Sequence, residues 1–414
     1  MKKTASKNAV RREDAFRDAA KVFSSSYVNM VQAKGHDFLE QGYTGSLVSD
    51  SEGNRLLDCY TSGAVFNLGR KNTAIIERFK RAIYETDQGN FVMPSQEKAL
   101  LARRIAEFMP GNLDCVLFGV TRGESMDAAC KLARGFTARP ELITVDGGRY
   151  GESGFALSLT ERPGKEQFGK LIQAVKVIPF GDVEAARSTI GNRTAAVVME
   201  PVQAENHCRT ADAGYYARVK ALCESTGAKL VFDETQSGFG RTGTRFFFEQ
   251  TGVQPDILIV GEAITSGMFP MTAMVFTPEL KHFFDIHPLI HLCTFGGHDL
   301  GCLVAMTALD EYDRLEPWKN AARIGDRMVG ELSALAEKNG SKIVSIAGKG
   351  LLLSIKLAAE DLARRFCAAA RAGGLLVNIG ETDRTTILIR PSLLISDEDA
   401  TEIFNAITRT LEAV

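Results

Sequence analysis

Residues 230–243, LVFDETQSGFGRTG, place an acid and an amide, Asp233 and Gln236, just after an apolar run and just before a glycine-rich turn. A short apolar run bounded by turn residues reads as a buried strand, and in open α/β sheets ligands sit outside the carboxyl ends of the strands. A carboxylate in that place either holds a cation or caps the turn that follows. Taken out of water without a positive partner it is strongly disfavoured, so something cationic is expected to face Asp233.

The elements that position this strand end come from an alternation of signals. Apolar β-rich runs at 114–119, 142–146, 195–199, 229–233, 256–260 and 271–276 are separated by helical stretches such as 125–134 and 215–225. Strands covered on both faces by crossover helices read as such continuous runs, so the expectation is a doubly wound α/β domain with a mostly parallel sheet over 71–309. Beyond it lies a smaller α+β unit at 310–414, with a helical pattern interrupted near Pro317, strand-like runs at 350–356, 375–379 and 387–395, and a helix from 361. Ser396 followed by Asp399 predicts a capped start for the last helix. Residues 1–70, with a hairpin turn at Glu52-Gly53-Asn54, bury no face of their own and are expected to pack with the carboxyl-terminal unit.

The 49 basic and 51 acidic residues nearly cancel, which gives no field to steer the chain onto nucleic acid or an anionic membrane. No apolar run is long enough to span a bilayer, and the charged start MKKTASKNAVRRED lacks the apolar stretch of a secretory signal, so a cytoplasmic location is expected. The eight cysteines show no ligand spacing, and no metal site is expected.

The 230–243 run resembles the FDEVQTGFGRTG signature of class III, fold-type I aminotransferases, which use pyridoxal phosphate (PLP). Further motifs follow in that family's order: Gly69-Arg70-Lys71-Asn72 at its GHNHP turn, Glu200-Pro201-Val202-Gln203 at its EPVQ strand end, and Thr294-Phe295-Gly296-Gly297 at its TFGGNP turn. The resemblance spans about residues 40–410 and lies nearest the diaminobutyrate, ornithine and acetylornithine transaminases. It implies that Asp233 pairs with the protonated ring nitrogen of PLP, that Gln236 approaches the ring hydroxyl, and that Thr294 of one subunit reaches the cofactor phosphate of the other in a homodimer. It also implies a substrate switch in which Glu205 holds an arginine that grips a carboxylate of an amino or oxo acid. Here that arginine is Arg390, two residues later than in those members, and period-two alternation keeps it on the same face. A plain interdomain salt bridge is the other reading of the pair.

The pattern breaks where the family carries its Schiff-base lysine. After PDILIV the diaminobutyrate branch reads SKSISGxGLP, whereas this chain reads GEAITSGMFP, which puts Glu262 on the lysine position. A carboxylate can move a proton between carbons but cannot form an aldimine. The phosphate loop SGTEA becomes Thr121-Arg122-Gly123-Glu124-Ser125, although the helix beginning there still offers its positive end to an anion. In GGYHG the ring-stacking aromatic becomes Arg149, followed by Tyr150. Either Arg149 stacks through its guanidinium, or Tyr150 swings in, or no ring is present. The cation opposite Asp233 is accordingly a pyridinium, or Arg122 or Arg149 folded into the pocket.

Three readings follow. In the first, PLP or its amine form PMP is held noncovalently by Arg122, Gly123, Glu124, Arg149, Tyr150, Asp233, Gln236 and Thr294, with Glu262 as acid and base in a specialised biosynthetic step. In the second, the cofactor is gone and Arg122, Arg149, Glu262 and Arg390 bind an anionic amino-acid-like substrate. In the third, the chain is a non-catalytic partner of an active homologue.

Overall fold

Five of the predicted apolar runs have neighbours that can satisfy every backbone group on both sides, and they form the middle of a seven-stranded sheet. In the computed structural model, which describes residues 11–34, 36–90 and 92–414, its spatial order is Cys115–Gly119, Thr272–Phe276, Ile257–Val260, Lys229–Asp233, Thr194–Met199, Glu141–Val145 and Val175–Ile178. Only Thr272–Phe276 runs antiparallel to its neighbours. From Glu141–Val145 through Thr272–Phe276 every strand residue is buried, as a sheet covered on both faces requires. The edge strand Val175–Ile178, with Lys176 and Val177 exposed, escapes a search for continuous apolar runs. This is the doubly wound, mostly parallel α/β sheet expected from the alternation of signals.

Register fixes what stands at the sheet's carboxyl edge. Met199 lies beside Phe232, and Asp233 beside Ile259. Glu200, Asp233 and Glu262 therefore emerge from the ends of three adjacent parallel strands. The helix Arg122–Thr137 packs across these strands and starts on the same edge.

The two ends of the chain share a second core, in which Leu57 and Cys59 pack with residues from Ala321 to Leu411. Leu375–Leu376 pairs in parallel with Arg55–Asp58, so one small sheet contains strands from both ends. Asn378–Ile379 joins the other small sheet instead. The single run expected at 375–379 is thus two strands, and the chain changes sheets at Val377. The strand expected at 387–395 is Thr386–Ile389, because Arg390 gives its N–H to Cys59 and Pro391 has none to give. The boundary expected at 309/310 falls inside the helix Asp299–Leu315, and Pro317 starts the next helix. The Asp50 carboxylate accepts from the amides of Glu52 and Asn54 and closes the hairpin expected there, with Gly53 at φ 88°. Ser396 and Asp399 form the reciprocal cap predicted for the last helix. The part of the expected amino-terminal segment at 1–10, which includes most of the charged start, lies outside the described residues. Among the described residues no helix is long and apolar enough to cross a membrane.

Candidate active site

The cation opposite Asp233 is Arg122. Its Nε donates to Asp233 Oδ2 at 2.7 Å and its Nη2 to Glu200 Oε1 at 2.6 Å. The two carboxylate side chains are 0% and 2% exposed, and the guanidinium side chain 16%. Asp233 Oδ1 accepts the Thr235 amide at 3.0 Å, and Glu200 Oε2 accepts the Arg149 amide at 2.9 Å. Two buried acids around one guanidinium leave an excess negative charge, and the protein relieves it at Glu200. Burial pushes that carboxyl up to about 7, with Asp233 adding to the rise and Arg122 opposing it. Burial works against the charge on Arg122, but the two carboxylates outweigh it and hold the guanidinium well above its ordinary range.

Glu262 follows Val260 and Gly261 at the end of the next strand and opens a short 3-10 turn, Glu262–Thr265. A Cβ at Gly261 would lie 2.4 Å from Thr235 Cγ2, so only glycine lets the two strand ends come this close. Glu262 lines a cavity of about 550 Å³ with Arg122, Thr235, Gln236 and Phe269, and among the described residues no lysine lines it. Burial raises the Glu262 carboxyl above the usual glutamate range. Its own backbone amide and Arg122 oppose the shift, and Asp233 adds to it.

The other residues expected at a cofactor are differently engaged. Glu124 turns back to accept the Val120 amide at 2.7 Å. Gly123 sits against the 151–153 turn, where a Cβ would lie 2.7 Å from Ser153 Oγ; its smallness serves that packing. Arg149 faces Glu152 and Glu381, each at 3.6 Å. Tyr150 does not swing in: it is buried in the core under the sheet, where its hydroxyl accepts from Thr144 at 2.9 Å. Thr294 lies on an exposed loop and does not line the cavity within its own subunit.

Arg390 is fully buried and pairs with Glu205 at 2.8 Å. It also donates to Asn378 at 2.8 Å and to Gln236 Oε1. Burial alone would raise the Glu205 carboxyl, but Arg390 outweighs it and holds the group below its ordinary value. Arg241, which sequence reasoning gave no role, is buried and ties Asn67 to the Leu351 and Pro391 carbonyls, joining the two units. Its presence in a glycine-rich turn flanked by apolar residues was the available signal.

The sequence model of the family described as Aminotransferase class-III matches residues 31–411. The chain belongs to the class III aminotransferase family. An uncharacterized aminotransferase of Archaeoglobus fulgidus is 31% identical over 399 residues, covering 96% of this chain and 93% of that one. Putrescine aminotransferase of Pectobacterium atrosepticum is 31% identical over 369 residues, covering 86% and 78%. The ornithine aminotransferase of Toxoplasma gondii crystallized with oxidized glutathione, a structure with partial occupancy of PLP at its active site, superposes with a TM-score of 0.89 at 24% identity, covering 98% and 95%.

Against that family the residues present here do not fit PLP. The acid that would meet the ring nitrogen already holds Arg122.

Proposed function

We propose that this chain is an enzyme of the aminotransferase fold that acts on a small amino-acid-like or oxo-acid substrate without an internal aldimine. Glu262 serves as its acid and base at the carbon next to the carbonyl or amine. The observation that carries this reading is a half-buried carboxylate of raised pKa facing the cavity beside an arginine, at the end of the strand where the family has an amine. Ionised Glu262 takes the proton from the substrate carbon. Arg122, fixed by Asp233 and Glu200, faces the negative charge that develops. Glu205 and Arg390 hold Gln236 at the opposite wall. A second copy of the chain is proposed to cover the exposed Thr294 and Phe295, which is 57% exposed.

Family membership favours a second reading, with PLP or PMP held noncovalently over Asp233. It requires Arg122 to leave Asp233. The first reading is tested by NMR of a panel of 2-oxo acids and amino acids in D2O with the purified chain. Exchange of the hydrogen on the adjacent carbon is expected in wild type and lost in Glu262→Gln. Equal exchange in the two proteins would refute the role of Glu262.

A further inference from the structure

We infer that Arg122 is a protein-borne substitute for the cofactor's ring cation: it fills the seat over Asp233, keeps PLP and PMP out, and offers its remaining nitrogen to a small carboxylate. The inference rests on the reading that the site works without an internal aldimine.

A guanidinium and a protonated pyridine are both flat cations with N–H groups in the plane, so either can satisfy a carboxylate at a strand end. Arg122 does so twice, through Nε to Asp233 and Nη2 to Glu200. For a ring to enter, the bond to Asp233 must break and the guanidinium must be displaced from the strand end while Glu200 keeps its need for a cation. An ordinary surface arginine would have no such partners.

The third nitrogen is what makes the arrangement a binding site as well as a plug. Nη1 donates to no described protein atom, yet it is absent from the buried unpartnered atoms, so it is open to the cavity that Arg122 lines. Thr235 lines the same cavity, with its Oγ1 turned away from it. Val65, Phe269 and Pro270 supply apolar wall. A charged donor beside an apolar wall suits a short carbon chain ending in a carboxylate, which would also place that chain near Glu262.

The test uses the full-length chain in wild type, Glu262→Lys and the double variant Arg122→Gly/Glu262→Lys. Each is incubated with PLP or PMP, desalted and read by absorbance. PLP samples are then reduced with borohydride and mapped for a modified residue 262. Wild type and Glu262→Lys are expected to retain no cofactor. The double variant, folded by a single cooperative melt, is expected to retain PLP and to be modified at position 262. Cofactor retained by wild type or by Glu262→Lys would overturn the inference, as would a folded double variant that retains none. The Glu262→Lys arm keeps the test decisive if removal of Arg122 prevents folding.

The carboxylate clause is read by calorimetric titration of wild type with pyruvate and 2-oxobutyrate against their methyl esters. The free acids are expected to bind roughly tenfold tighter or better, the margin of one lost charged hydrogen bond. Equal binding of acid and ester, or no binding of either, would overturn that clause. Exchange that survives Glu262→Gln while cofactor is still excluded would sink the proposed function and leave Arg122 as the plug.

Discussion

Replacing Arg122 by methionine keeps most of the side-chain volume and removes the charge, so it isolates what the guanidinium does. Asp233 and Glu200 are then buried acids without a cation, a loss of about 3–5 kcal/mol when both are ionised. The size should depend on pH, and the sign follows from Glu200. Its carboxyl is raised to about 7 in the folded chain, against an ordinary value of 4.5, so the folded state binds the proton more tightly than the unfolded one. Its contribution to stability therefore falls as pH rises from the unfolded value through the folded one. Arg122 opposes that rise, so the methionine variant should push Glu200 higher still. If the further shift is about two units, the variant loses ~1 kcal/mol more at about pH 8 than at about pH 5.5, where Glu200 is protonated in both proteins. Urea denaturation of wild type and variant at the two pH values reads this directly. Identical midpoints at both would show that Arg122 does not hold the acids, and the account of the pocket would fail.

Proton exchange by wild type should rise with pH over a range above that of an ordinary glutamate, because only ionised Glu262 can act as base and burial raises its carboxyl; a flat pH–rate profile would contradict this. Arg390→Ala strands Glu205 and releases Asn378 and Gln236, and should cost about 3–5 kcal/mol in urea unfolding. Arg390→Lys should recover only part of it, since one ammonium cannot match three acceptors in the plane of a guanidinium; full recovery would argue for simple charge pairing. Gly261→Ala drives a methyl group to 2.4 Å from Thr235 Cγ2 and should lower stability by about 1–3 kcal/mol. An unchanged melting midpoint would show that the two strand ends can move apart.

The large sheet was legible because central strands covered on both faces are apolar over most of their length, and residues 195–199, 230–232 and 257–260 say so without structural help. The placement of Asp233 and Glu262 followed from the same logic, since both stand just after such runs. The edge strand Val175–Ile178 was lost because it is short and meets water at Lys176 and Val177, and the division at Val377 because local pattern does not say which sheet a strand joins. Within the site, residue types were legible and their directions were not. Arg122 was one of two arginines that could answer Asp233, and only the packed helix across the sheet selects it. Tyr150 turns into the core because its hydroxyl finds Thr144 there, and Gln236 turns to Arg390 because that buried cation needs acceptors. Such choices depend on which partners the fold brings within reach.

Central to this account is that the chain's own arginine holds the place a cofactor ring would take. A crystal of the wild-type chain grown with excess PMP tests this most directly. The account predicts density for a guanidinium bridging Asp233 and Glu200, with no ring above them. A planar ring with its nitrogen on Asp233, and Arg122 swung away from both acids, would contradict it.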